Sequence, residues 1–189
     1  MSRCTHLVSI GVVSILLLVM SGCNQLESKD RYVNKEHGIS FKVPEGWSRD
    51  APGKGHTWLA AYIKNRSGIG VQFVEVSGKI NLPKFGQLQA AKLEASGFQI
   101  VSPPTEMEIN GRKAIQIAVT AITSTSGNGE ALFGKKLDVP NDVPFVFLSY
   151  YIDDTSRNKL FVLSLAVPQA EYAVTAKEFM VTVDSFQIR

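Results

Sequence analysis

Two stretches decide how this chain folds: FVFLSYYI (Phe145–Ile152) and LFVLSLAV (Leu160–Val167). Both are apolar at odd and at even positions. A strand half-buried in a sheet alternates apolar with polar residues, because successive side chains point to opposite faces. A strand that is apolar on both alternations is covered on both faces. The two stretches therefore read as central strands of a sheet with a layer on each side. Asp153–Lys159, polar and short, turns the chain between them.

Working outward, the C-terminal side supplies one of those layers. Tyr172, Ala176, Phe179 and Val183 recur at helical spacing and form one stripe. Pro168 fits the first helical position, and Glu171 complements the helix dipole. Asp184–Ile188 then reads as a short closing strand. On the N-terminal side, Thr105–Ile109 and Lys113–Ile122 flank Asn110-Gly111-Arg112, and Asn-Gly between alternating apolar positions is a strong hairpin signal. Glu106 and Glu108 share the solvent face of the first strand. Phe98–Val101 reads as a separate short strand ended by Pro103-Pro104. Lys84–Ser96 is rich in Ala, Leu, Gln and Lys and ends at Gly97, which predicts a helix with Phe85, Leu88 and Ala95 on one face. Thr57–Lys64 and Ile69–Val76 form a hairpin with the loop Asn65-Arg66-Ser67-Gly68. Arg31–Asn34 and Ile39–Val43 form another, and Pro44-Glu45-Gly46 turns the chain into Trp47. Thr123–Val143, rich in Ser, Thr, Gly and Asn and followed by Pro144, reads as a long loop. Successive hairpins with two apolar-striped helices give an α+β fold, a sandwich around a mainly antiparallel sheet.

The first residues carry an address. Leu7–Met20 is a weakly polar or apolar run behind Arg3, shorter than the about 20 residues a bilayer-spanning helix needs. It fits the apolar segment of a signal peptide. Met20-Ser21-Gly22-Cys23 resembles the bacterial lipobox, with Met20 where Leu is commonest. The resemblance implies a diacylglyceryl group on the Cys23 sulfur, cleavage before Cys23, and acylation of the new amino group. Residues 1–22 are then a lipoprotein signal peptide, residues 23–30 the lipidated cysteine and a polar tether, and residues 31–189 the domain. Two or more acyl chains hold a protein on a bilayer where one binds only marginally. The other reading is an ordinary signal peptide with an incidental Cys23. Against it, Cys4 and Cys23 are the sequence's two cysteines, so the domain has no thiol to form a disulfide, metal site or nucleophile. Asn24 follows Cys23 where, in enteric-type sorting, an Asp favours inner-membrane retention. This favours the periplasmic face of the outer membrane.

Net charge is +3, from 20 basic and 17 acidic side chains, and the basic residues are scattered. That balance excludes a nucleic-acid footprint. The pairs Arg112-Lys113 and Lys135-Lys136 read as solvated turns or faces. Within Gly129–Lys136 the chain matches the start of a phosphate loop up to Lys135, but Lys136 stands where such a loop requires Ser or Thr, and Leu137-Asp138-Val139-Pro140 cannot open the helix that should follow. His37 and His56 stand in separate loops and read as surface histidines. Asp153, Asp154 and Asn158 miss the spacing of a calcium loop. Tyr150-Tyr151 could line a groove, yet adjacent strand residues face opposite ways, which favours core packing. No acid, base, nucleophile or metal set supports an enzyme, and no cofactor is implied.

Gly38-Ile39-Ser40-Phe41-Lys42-Val43-Pro44-Glu45-Gly46-Trp47 resembles the "G-x-x-F-x-x-P-x-G-W" box of PsbP-like proteins. Pro168, Phe179, Val183, Ser185 and Phe186 resemble their last helix and the "S-F" after it. The family is named for an extrinsic subunit of photosystem II and includes bacterial envelope lipoproteins of the DcrB type. The resemblance covers Tyr32 to Ile188 and implies an α/β/α sandwich around an antiparallel sheet, with no catalytic residues to carry over. The expected function is a lipid-anchored envelope protein of non-catalytic type that binds a protein partner or supports assembly. The alternative is a carrier or sensor of a small apolar molecule held between sheet and helix. The long loop Thr123–Val143 is where this member is expected to differ in partner.

Overall fold

The computed structural model describes residues 30–50, 58–122 and 143–189. Cys23, most of its tether, His56, the phosphate-loop-like stretch and residues 123–142 lie outside the described residues. The described chain forms ten strands and two α-helices: β1 (Arg31–Asn34), β2 (Ile39–Lys42), β3 (Ser48–Asp50), β4 (Trp58–Lys64), β5 (Ser67–Glu75), α1 (Leu82–Ala95), β6 (Gln99–Ile109), β7 (Arg112–Ile122), β8 (Pro144–Asp154), β9 (Lys159–Pro168), α2 (Tyr172–Ser185) and β10 (Gln187–Ile188). Seven strands make one antiparallel sheet in the order β3-β4-β5-β9-β8-β7-β6. The two strands read as covered on both faces, β8 and β9, are indeed interior. A second sheet, β1-β2-β10, was not expected from the sequence.

The period-2 alternation of the central strands divides the core. Phe161, Leu163, Leu165 and Val167 of β9 and Val146, Leu148, Tyr150 and Ile152 of β8 pack with Phe179 and Val183 of α2. Phe145, Phe147 and Ala166, with Ile117 and Val119 of β7, face the other way, toward Leu93 of α1. The small sheet lies on the α2 side. There Phe41 stacks on Tyr32 with centroids 4.8 Å apart and meets Tyr62 of β4 edge-on at 6.1 Å. Burial on both faces of one sheet is the main term holding these layers together.

Several boundaries differ from expectation, each for a local reason. Asn65 and Arg66 alone make the β4–β5 turn, because Asn65 adopts φ 54° and Lys64 pairs directly with Ser67. Phe98–Val101 and Thr105–Ile109 belong to one strand, β6, which runs through Pro103-Pro104. Proline is tolerated there because β6 is an edge strand, and its register shifts on either side of Ser102. Asn110 and Gly111 form the expected tight turn, with φ 48° and 78°. The Asn110 side chain also donates to the carbonyls of Asp184 (2.9 Å) and Phe186 (2.7 Å), satisfying acceptors at the end of α2. Pro168 closes β9 opposite Phe145, and α2 starts at Tyr172 after a 3-10 turn at Gln169–Glu171. Asp184 and Ser185 remain helical, leaving β10 only two residues.

Helix α1 begins at Leu82, capped by the Asn81 side chain, which accepts from the Lys84 amide at 3.0 Å. Its buried face is Leu82, Gly86 and Ala90; Leu88 and Ala95, expected inside, are exposed. Gly86 explains the rotation. A Cβ there would overlap Ile115 Cδ1 and lie 3.1 Å from Pro104 Cβ, so the helix backbone sits directly on β6 and β7. A glycine-to-alanine change in an exposed helix gains about 1 kcal/mol. Gly86→Ala is instead expected to lose about 1–2 kcal/mol by overpacking. Adding Ile115→Val, which deletes Cδ1, should recover part of that loss in urea unfolding. Strict additivity of the two changes would count against the close approach.

A cleft between helix α2 and the β4–β5 hairpin

The cleft is built by three segments far apart in sequence. The Pro44–Trp47 turn, with Gly46 at φ 79°, delivers Trp47 beneath α2. There its indole Nε1 donates to Glu178 Oε2 at 2.8 Å. Lys64, at the end of β4, donates to the other carboxylate oxygen, Oε1, at 2.7 Å. Arg66 meets Glu171 at 3.2 Å across the mouth, with both side chains part-exposed. Ser67 opens β5 on the same face as Ile69 and Val71, toward α2. It is 2% exposed, and its hydroxyl is the one buried side-chain polar atom without a hydrogen-bond partner among the described residues. Val174 and Thr175 of α2 complete the lining of a space of about 310 Å³.

The Lys64 hydrogen bond, aided by Trp47 and opposed by burial, holds the Glu178 carboxyl below the usual glutamate range. A carboxyl with a lowered folded pKa contributes stability above its unfolded value. That contribution disappears as pH falls through the folded value. Lys64→Met is therefore expected to move the acid titration of Glu178 upward in pH. Trp47 fluorescence in a Trp58→Phe background reads it, and an unmoved midpoint would contradict the Lys64 assignment.

The residues singled out from sequence are not brought together. Tyr150 and Tyr151 face opposite layers. Tyr150 reaches Met180 Sδ at 3.6 Å, and burial, with Tyr172 and Asp184 nearby, pushes its hydroxyl up to about 12. Tyr151 meets Phe85 of α1 edge-on, and burial raises its pKa too. Glu106 and Glu108 are exposed. Asp153 caps the Thr155 amide, while Asp154 is bound by Arg112 and Arg157. Asn158 takes the left-handed conformation of the turn. His37 is half-buried rather than fully exposed. Its ring packs on Phe73 at 4.5 Å and Nδ1 lies 3.2 Å from Lys159 Nζ, so burial, then Lys159, lowers its pKa. Among the described residues no group of three or more His, Cys, Asp or Glu is arranged to hold a metal. No described helix is long and apolar enough to cross a membrane. Of the cleft, Trp47 was visible in sequence through the turn before it and Glu171 through the helix start, while nothing marked Lys64 or Glu178.

A family model described as PsbP matches residues 27–188. No curated protein matches the chain. Among solved structures, the chain resembles cyanobacterial PsbP (CyanoP) from Synechocystis sp. PCC 6803, with TM-score 0.58 and 14% identity over 90% of this chain and 99% of that one. It resembles LpqN of Mycobacterium tuberculosis, described as involved in cell envelope biogenesis, with TM-score 0.56 and 16% identity over 79% and 82%. It also resembles the Ran-binding protein Mog1p of Saccharomyces cerevisiae, with TM-score 0.52 and 16% identity over 88% and 96%. At such identities the likeness is one of fold. With two helices, antiparallel sheets and a family match spanning most of its length, the chain belongs to the PsbP family.

Proposed function

We propose that this chain is a lipid-anchored, non-catalytic binding protein of the bacterial cell envelope, attached through Cys23, and that it engages a protein partner at the cleft beside α2. The observation that carries the binding role is the concave surface of about 310 Å³ beside α2, in whose wall the Ser67 hydroxyl lies buried without a hydrogen-bond partner. Native structures rarely leave such a group unsatisfied without a reason. The two carboxylates of the cleft, Glu171 and Glu178, are each engaged by a base, which leaves no free acid–base pair there for catalysis. LpqN's envelope role and Mog1p's protein binding fit this reading without fixing it. The Cys23–Asp30 tether would keep the domain within about 25 Å of the bilayer, at about 3.3–3.6 Å per residue. By the Asn24 argument that bilayer is the outer membrane.

The anchor has a direct test. Cys23→Ser should accumulate as an uncleaved precursor that takes up no labelled palmitate. A variant processed and sorted like the wild type would rule the anchor out. A second reading, a carrier of a small apolar molecule, draws on a space of about 150 Å³ between α1 and the sheet, lined by Trp58, Leu93, Phe98 and Phe147. Solvent extraction of the purified protein followed by mass spectrometry separates the two: a stoichiometric apolar compound would favour the carrier.

A further inference from the structure

Resting on the second reading, the small-molecule carrier, we infer that the space between α1 and the sheet takes an uncharged single-ring molecule whose one oxygen accepts a hydrogen bond from the Ser149–Ser164 pair. This space lies on the opposite face of the sheet from the cleft, so the two sites do not compete.

Sequence and register build its floor. Each of the two central strands, β8 and β9, carries one serine in an otherwise apolar or aromatic run. Antiparallel pairing sets Ser149 opposite Ser164, with their hydroxyls 3.0 Å apart. The same row continues through Gly70 of β5 to Ala61 of β4. Four small residues in one row leave a hollow. The next row walls it, because Tyr151, Val162, Gln72 and Trp58 lie side by side across the same four strands. Helix α1 docks through Gly86 over β6 and β7, so it borders the hollow with Leu93 instead of filling it.

Size and chemistry narrow the occupant. The space is about 150 Å³, half the lower end of the about 300–1,000 Å³ of drug-sized sites. A cavity of about that size lined by Leu, Ile and Phe admits benzene, so one ring fits. Trp58, Phe98 and Phe147 offer it aromatic walls. None of the described residues lining the space is charged, so an ion would lose its water there without compensation. The serine pair supplies direction. Two hydroxyls carry two hydrogens, and the bond between them uses one. The other finds no acceptor among the described residues, which leaves a donor for the ligand. Ser149 is only half-buried, and both serines line the space, so this donor is within reach.

The test follows the methyl NMR signals of Ile117 and Val162 in the full-length chain in detergent, titrated with acetophenone, benzene, benzoate and 1-hexanol. Acetophenone should shift both signals. Its Kd should weaken about tenfold in the double variant Ser149→Ala/Ser164→Ala. Benzene, which lacks the oxygen, should bind the variant and the wild type alike. Removing both partners of a hydrogen bond is close to neutral for folding, so the double variant keeps its thermal midpoint. Ser149→Leu, which fills the hollow, should abolish the shifts, and benzoate should cause none. Acetophenone binding the double variant like the wild type would overturn the inference, as would shifts that persist in Ser149→Leu or benzoate acting like acetophenone. Hexanol separates the two levels of the argument. Hexanol shifting these methyls where acetophenone does not would remove the ring and keep the carrier, whereas no shift with any probe removes both.

Discussion

Phe41→Ala is expected to lower the unfolding free energy by about 3–5 kcal/mol, a large share of the about 5–15 kcal/mol typical of a domain. The ring is fully buried. It joins three parts of the molecule: Tyr32 in its own small sheet, Tyr62 in the large sheet at 6.1 Å, and Phe186 after α2 at 6.3 Å. Phe186 in turn lies 5.8 Å from Phe161 of β9. Removing the ring leaves a cavity that its neighbours can fill only by moving three elements at once. Each well-placed aromatic pair adds about 0.5–1.5 kcal/mol beyond burial. Phe41→Leu, which keeps most of the volume, should cost under about 1.5 kcal/mol. Urea unfolding discriminates two outcomes. If the small sheet belongs to the same cooperative core, the midpoint falls with an unchanged slope. A reduced slope with a nearly unchanged midpoint would mean that β1, β2 and β10 melt on their own.

What could be read from the sequence follows a physical line. β8 and β9 were legible because burial on two faces leaves a composition that no half-exposed strand has. Asn110-Gly111 was legible because two consecutive positive φ angles demand such residues. Pro103-Pro104 misled because a proline excludes only a central strand, and nothing local says that β6 is an edge. Pro168 misled in a related way: it fits a helix start and a strand end equally well. The face of α1 was misjudged because Gly86, with no side chain, carries no hydrophobic signal, yet its missing Cβ is what lets the helix dock. The cleft was almost invisible. Lys64 and Glu178 are 114 residues apart, and neither stands in a motif. Ser67 looked like loop, and only the register with Lys64 turns it inward.

The second large effect is expected at Asp154, a buried carboxylate at the end of β8. Its side chain is 0% exposed. Arg112 Nη1 donates to Oδ1 at 3.1 Å, and Arg157 Nε to Oδ2 at 2.7 Å. Arg157 also donates to the Arg189 carbonyl at 2.9 Å, tying the β8–β9 turn to the chain's last residue. The two guanidinium groups are 37% and 39% exposed, which by itself would place them with surface ion pairs worth about 0–1 kcal/mol. The buried partner reverses that expectation. Replacing both arginines by methionine strands the carboxylate without water or a countercharge, at a cost of about 3–5 kcal/mol. Either single change leaves one donor in place and should cost clearly less than half of the double. Adding Asp154→Leu to the double variant should then restore stability, because a buried ion cluster replaced by apolar groups of similar size is often neutral or better. A double variant within about 1 kcal/mol of wild type would show that water reaches Asp154. A triple variant no more stable than the double would show that the loss came from packing of the arginine stems and not from the stranded charge.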